Sequence, residues 1–240
     1  RCAQMTHRYY RIDPQVFTRF PGYRRGVVAA LDVQNPPAPA GLVTELRAAE
    51  EALRARLSLE ALLEDPTVAA WREAYRAAGM KPSEFRPSVE ALVRRVLRGD
   101  ALPLISALVD IGTLASIRYM LPIGAHALDE VRGDLSLRLA RGDENFEPFG
   151  ADVLEHPAAG EVIFAEDDTV LTRRWTWRQA KHTLVTAETR TVEFNVDALA
   201  LVTDAQVHAI CEQVAAWVQT YCGGQTRWAV LSAQQPEMEI

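Results

Sequence analysis

Val162-Ile163-Phe164 and Val170-Leu171 flank Glu166-Asp167-Asp168, and the run that follows reads Arg173-Arg174-Trp175-Thr176-Trp177-Arg178. Apolar stretches around a short acidic turn are the mark of a β-hairpin. Just before it, Leu135, Leu137 and Leu139 alternate with Ser136 and Arg138, and residues 191–202 read as a further strand. If the arginine-tryptophan run is itself a strand, Arg173, Trp175 and Trp177 share one face, and Arg174, Thr176 and Arg178 share the other. One face is then an aromatic shelf edged by a cation. Indoles stack on planar groups such as nucleobases or amino-acid rings, and guanidiniums pair with carboxylates or phosphates.

Upstream of the hairpin the period changes from two to about 3.6. Leu42, Leu46, Ala49, Leu53 and Leu57 recur every three or four residues, which predicts an amphipathic helix. Asp65-Pro66 predicts a helix start, because aspartate caps and proline fits the first helical position, and Gly79 closes that helix. Residues 87–97 and 103–119 predict two more, the second with Leu104, Leu108, Ile111, Leu114 and Ile117 inward. Residues 23–33 suit a short strand ended by Pro36-Pro37-Ala38-Pro39. Thr203-Asp204-Ala205-Gln206 resembles a capping box before a helix that Gly223-Gly224 stops, and residues 228–231 suit a closing strand. Helices first and strands later point to an α+β fold, a mixed or antiparallel sheet covered by helices. Residues 1–70 read as an amino-terminal strand and helical segment of the same unit, and residues 71–240 as its core.

With 240 residues, 48% hydrophobic and 24% charged, the chain can bury a full core. A net charge of −6 argues against a protein that coats DNA or RNA nonspecifically, since phosphate neutralisation needs a broad basic surface. A local basic site stays open: Arg173, Arg174, Arg178 and Lys181 lie within residues 171–182 with no acid among them. Cys211 and Cys222 fall about 16 Å apart along one predicted helix, too far for a disulfide. Free thiols, an amino terminus without an apolar signal core and the lack of a long apolar span suggest a cytoplasmic protein not held in a membrane.

Familiar catalytic signatures are missing from the sequence. There is no Gly-x-x-x-x-Gly-Lys loop, no Gly-x-Gly-x-x-Gly after a strand and no nucleophile elbow. Histidines 7, 126, 156, 182 and 208 lack metal-ligand spacing, so neither a metal nor a cofactor is expected.

The order of several pieces carries a resemblance. Leu108-Val109-Asp110-Ile111-Gly112-Thr113 precedes Leu121-Pro122-Ile123-Gly124-Ala125-His126-Ala127-Leu128-Asp129-Glu130-Val131. Then come Leu137 to Ala140, Glu144, the hairpin, the Arg173 to Arg178 run, Thr189 and Asn195. From about Trp71 to Leu201 this succession resembles the B3/4 tRNA-editing domain of the phenylalanyl-tRNA synthetase beta chain, and more closely its freestanding relatives. The resemblance implies an α+β fold and hydrolysis, in trans, of the ester of misacylated tRNA. The alternative it leaves is a noncatalytic binder of tRNA ends, nucleotides or a small amino-acid ligand.

On that resemblance Thr113, His126 and Asn195 are the candidate catalytic residues, Thr113 and Asn195 orienting water or the substrate amine. Asp110, Gly112, Gly124, Glu144, Arg173, Arg174, Trp175, Trp177, Arg178 and Thr189 are candidate substrate-binding positions, with Arg173 and Arg178 on the carbonyl oxygen or terminal phosphate and the tryptophans stacked on the terminal adenine or on an apolar side chain. The departures fall on the pocket. The synthetase histidine falls on Gly124, its glutamate on Asn195, and its glycine-rich wall on the arginine-tryptophan run. Plainer readings stand beside these roles. Trp175 and Trp177 can be core, the arginines can pair with Glu161, Glu166 or Asp167, Asp110 can be a satisfied buried acid, His126 a core histidine, and Glu144 a turn acid after Gly142.

Overall fold

The computed structural model describes residues 8–240. The readings that involve residues 1–7 lie outside them. The chain opens with β1 (Tyr9–Ile12), α1 (Pro14–Arg19) and β2 (Arg24–Leu31). Helices α2 (Ala40–Arg56), α3 (Pro66–Ala77), α4 (Ser88–Leu97) and α5 (Ala107–Tyr119) follow. Next come β3 (Ile123–Ala127), β4 (Leu135–Leu139), β5 (Val162–Glu166), β6 (Thr169–Arg173), β7 (Arg178–Gln179) and β8 (Thr191–Ala198). Helix α6 (Asp204–Cys222) and strands β9 (Gln225–Leu231) and β10 (Glu237–Glu239) complete it.

These strands build two sheets, ordered β10-β1-β4-β5-β6-β7 and β3-β8-β2-β9. The first is mixed, because β1 runs parallel to β4, and the second is antiparallel throughout. The fold is therefore α+β, as the change of period implied. One face of the second sheet carries Val28, Ala30, Val192, Phe194, Val196 and Ala198 into an apolar core shared with α2, α4, α5 and α6. A second core fills the gap between the sheets with Tyr10, Tyr23, Val27, Leu137, Phe164, Leu171 and Trp175, closed by Trp71 and Tyr75 of α3.

Local signals account for most of these elements. Asp65 accepts hydrogen bonds from the N–H groups of Thr67 and Val68, with Pro66 in the first turn, and so starts α3. Thr203 and Gln206 form the reciprocal capping box of α6. Cys211 and Cys222, both on α6, are free and buried. Three expectations need correction. Helix α5 begins at Ala107 rather than near Pro103; Leu104 is 46% exposed, and the segment before the helix is fixed by Ile105 N–H donating to Asp110. Strand β8 ends at Ala198, not at Val202.

The third correction concerns the arginine-tryptophan run, which is not a strand. Arg173 ends β6, Arg178 starts β7, and the two pair across a reversal. Arg174 and Trp175 take φ of 47° and 64°, the left-handed region that L side chains rarely adopt. Side-chain burial and hydrogen bonds hold this turn. Trp175 is 1% exposed and packs on Phe20, Tyr23 and Trp71 with ring centroids 4.4 to 5.0 Å away. Tyr75 Oη donates to Arg174 O at 2.7 Å, and Ser88 N–H donates to Thr176 O at 3.1 Å.

Candidate active site

Strand β8 positions the site, because it carries opposite chemistry on its two faces. Val192, Phe194 and Val196 enter the helical core, while Glu193, Asn195 and Asp197 point between the sheets. Neighbouring strands add to this polar row, since Gly124 and His126 of β3 register with Asn195 and Glu193, and Arg25 of β2 registers with Asp197. The row borders a chamber of about 230 Å³, whose other walls include Thr172, Trp175, Thr176, Trp177, Arg178 and Gln179.

Asp197 anchors the floor. Its carboxylate, fully buried, accepts from Arg25 Nε at 2.9 Å and Arg25 Nη2 at 3.2 Å. Tyr23 Oη donates to the same group, and Arg25 Nη1 donates to Tyr10 Oη at 2.9 Å. Burial pushes the Tyr23 and Tyr10 phenols well above their ordinary range despite the opposing Arg25 charge, so both remain hydrogen-bond donors. Asn195 Nδ2 donates to Asp197 Oδ2 at 2.7 Å. A carboxylate can only accept, so this bond fixes the amide with its oxygen turned the other way. Asn195 Oδ1 is buried and has no hydrogen-bond partner among the described residues. It has room because position 124 is glycine: a Cβ there would lie 3.1 Å from Oδ1.

Further along the same row, His126 of β3 spans the two sheets. Its Nδ1–H donates to the carboxylate of Glu193, at 2.6 Å from Oε1, and Nε2 lies 2.9 Å from Thr172 Oγ1, within hydrogen-bond distance. At the rim, Trp177 packs edge-on against Phe85 at 5.0 Å, and the Arg174 guanidinium sits 3.6 Å over the Phe85 ring and 4.6 Å over Trp177. Arg178 stands 5.8 Å over Trp177 and 3.6 Å from Glu155. A second cavity of about 460 Å³ shares Ile123, Gly124 and Gln179 with the first. Its remaining walls are mostly apolar, among them Leu92, Val109, Leu184 and Val185 together with Gly112 and Thr113.

The structure thus brings Gly124, His126, Trp175, Trp177, Arg178 and Asn195 around the polar chamber and places Gly112 and Thr113 behind it. Arg174 reaches the rim. Four of the candidate positions lie elsewhere. Arg173 is buried in a fork with Glu161, Nε to Oε1 at 3.0 Å and Nη2 to Oε2 at 2.9 Å, and it also reaches Glu155 at 2.8 Å. Asp110 accepts from Ile105 N–H, and Thr189 Oγ1 accepts from Thr186 N–H. Burial raises the Glu144 pKa, but hydrogen bonds from Arg141 N–H, Arg138 and Gly142 N–H outweigh it and hold the group at about 2. Sequence reasoning missed Arg25, Thr172 and Asp197. The alternation of Glu193, Asn195 and Asp197 with Val192, Phe194 and Val196 was the available signal.

Among the described residues no group of three or more His, Cys, Asp or Glu could hold a metal ion, and no helix is long and apolar enough to cross a membrane. The class this architecture defines is supplied by a family model: the B3/4 domain matches residues 70–223. That segment is more than half of the chain, and the protein belongs to the B3/4 domain family. Among solved structures it is similar to an N-terminal fragment of the phenylalanyl-tRNA synthetase beta-subunit from Pyrococcus horikoshii, at 12% identity and a TM-score of 0.44. The match covers 91% of this chain and 49% of that one, so the chain spans about half the length of that fragment. No curated protein matches.

Proposed function

We propose that this chain binds the aminoacylated 3′ end of tRNA and hydrolyses the aminoacyl ester in trans. The observation that carries the reading is the buried, unpartnered Oδ1 of Asn195, a residue that lines a chamber of about 230 Å³, beside a glycine and next to a fixed carboxylate. An oriented acceptor in a partly dry site suits the α-ammonium of an aminoacyl group, for which a hydrogen bond to charge is stronger than one between neutral groups. The resemblance to the synthetase editing domain supports the substrate class.

The two cavities divide the work. The polar chamber takes the ammonium and the ester, the apolar cavity beside Thr113 takes the side chain, and the Trp177 indole with Arg174 and Arg178 offers a stacking face and charge to the terminal nucleotide. An aminoacyl ester is already activated, so positioning and charge stabilisation account for much of the acceleration required.

Screening purified protein against a panel of correctly and wrongly charged tRNAs tests the proposal. At least one ester is expected to be cleaved above background, and Asn195→Ala is expected to slow that cleavage by about 10- to 100-fold, the value of one hydrogen bond to a charged group. If no ester is cleaved while tRNA or a free amino acid still raises the melting temperature, the chain is a binder and the hydrolytic reading falls.

A further inference from the structure

His126 is held on both ring nitrogens in an order with chemical meaning. Glu193, fully buried on β8, accepts from Nδ1–H at 2.6 Å, and Thr172 on β6 places its hydroxyl 2.9 Å from Nε2. Both His126 and Thr172 border the polar chamber. An acid, an imidazole and a hydroxyl in this order and at these distances form the constellation that activates an oxygen nucleophile, and it is recognised by geometry rather than by sequence position. A hydrogen bond merely tying two sheets would need neither a buried carboxylate behind the ring nor access to a cavity. Glu193 Oε2 has no hydrogen-bond partner among the described residues, and the Nδ1–H of His126 gives the one side-chain hydrogen bond that this buried acid accepts there.

We propose that Thr172, His126 and Glu193 form a nucleophile, base and orienting acid, and that the ester is cleaved through a covalent acyl-threonine. The proposal rests on the ester-hydrolase reading of the chamber. Thr172 Oγ1 attacks the ester carbonyl carbon as its proton passes to His126 Nε2, and the carbonyl oxygen takes up the negative charge. Arg178, a cation that lines the same chamber, is the group assigned to stabilise that charge. The tetrahedral adduct collapses by breaking the bond to the ribose oxygen, which takes the proton from His126 Nε2, and the aminoacyl group stays on Thr172. Water then attacks the acyl-threonine, giving a proton to Nε2. When the bond to Oγ1 breaks, Thr172 recovers that proton, and the amino acid leaves as a carboxylic acid that gives its remaining proton to solvent. Glu193 stabilises the imidazolium in both half-reactions and keeps Nε2 turned toward Thr172, so it is a positioning residue.

The test uses the full chain, the cleaved aminoacyl-tRNA with a labelled amino acid, and a phosphonofluoridate, which reacts covalently with activated hydroxyls. Thr172→Ala is expected to lower the single-turnover rate by about a hundredfold or more, and Thr172→Ser to restore most of it. Glu193→Gln, which keeps the shape, is expected to lower kcat with KM unchanged. Labelled acyl or phosphonyl adduct should map to Thr172 in the unmodified protein. Cleavage by Thr172→Ala at the unmodified rate would overturn the covalent proposal and leave the hydrolase reading standing. So would a fall in rate with neither adduct on Thr172, since the hydroxyl would then only orient His126. If the unmodified protein cleaves no ester at all, the hydrolase reading itself fails, and the covalent step with it.

Discussion

Replacing Arg173 with alanine separates the two roles this side chain could have. A ligand-binding arginine can be removed with little effect on stability, whereas Arg173 is 7% exposed and forks onto Glu161, which is 5% exposed. Its loss would leave Glu161 buried with only the N–H groups of Arg174, at 3.0 Å, and Ala158, at 3.3 Å. Breaking a buried pair by deleting one partner costs about 3–5 kcal/mol, and the two remaining backbone donors put the expected cost near the lower end, about 3 kcal/mol. For a chain of this size each kcal/mol moves the melting temperature by about 2–4 °C, so Arg173→Ala should melt about 6 to 12 °C below the unmodified protein. Thermal unfolding by circular dichroism, paired with deacylation at a temperature where both proteins are folded, reads the two effects separately. A melting temperature within about 1 °C of the original, together with a loss of cleavage beyond about tenfold, would refute the argument and return Arg173 to the substrate.

The two tryptophans should separate in the same way. Trp175→Ala removes an indole from a cluster of three aromatic partners and is expected to cost about 3–5 kcal/mol in chemical denaturation, while Trp177→Ala should cost under about 1.5 kcal/mol yet weaken tRNA binding. Equal losses of stability would contradict the buried and rim placements. Gly124→Ala sets a methyl group 3.1 Å from Asn195 Oδ1, whose amide Asp197 holds in place, so KM should rise with a stability loss of about 1 kcal/mol. An unchanged KM would remove Oδ1 from the binding site. Glu144 gives a pH prediction: its folded pKa of about 2 lies below the ordinary 4.5, so its contribution is present above pH 4.5 and lost as pH falls toward 2. That contribution is about 3 kcal/mol, and Glu144→Gln should flatten the acid limb of the stability profile. An identical acid limb in the variant would show that the Arg138 and backbone contacts do not hold the acid ionised.

The elements legible in the sequence were those with a repeating period or a cap. Leu42 to Leu53, the Asp65-Pro66 start and the Thr203 capping box all gave their helices, because each signal is local. Strand β1, helix α1 and strand β10 were too short to show a period, and β1 and β10 are held by partners far away in sequence. The arginine-tryptophan run misled for a specific reason. A reversal usually shows itself through glycine, asparagine or aspartate, whereas here Arg174 and Trp175 take the left-handed turn and buried side chains hold it. Of the candidate site, the resemblance supplied Gly124, His126 and Asn195, which line one chamber in the structure. Arg25 and Thr172 approach it from other strands, and no spacing in one dimension foretells that meeting.

Arg25 lies outside residues 70–223, yet it neutralises the acid that orients Asn195. Strand β2, which carries it, sits between β8 and β9 at the middle of its sheet. Transplanting the matched segment alone into another protein would therefore carry the candidate residues without the charge that sets their direction. Asp197 would be left as an unanswered buried acid, and one edge of β8 would lie open to pairing with a second molecule. A graft of this site has to begin upstream of Tyr10, whose hydroxyl closes the far side of the Arg25 network.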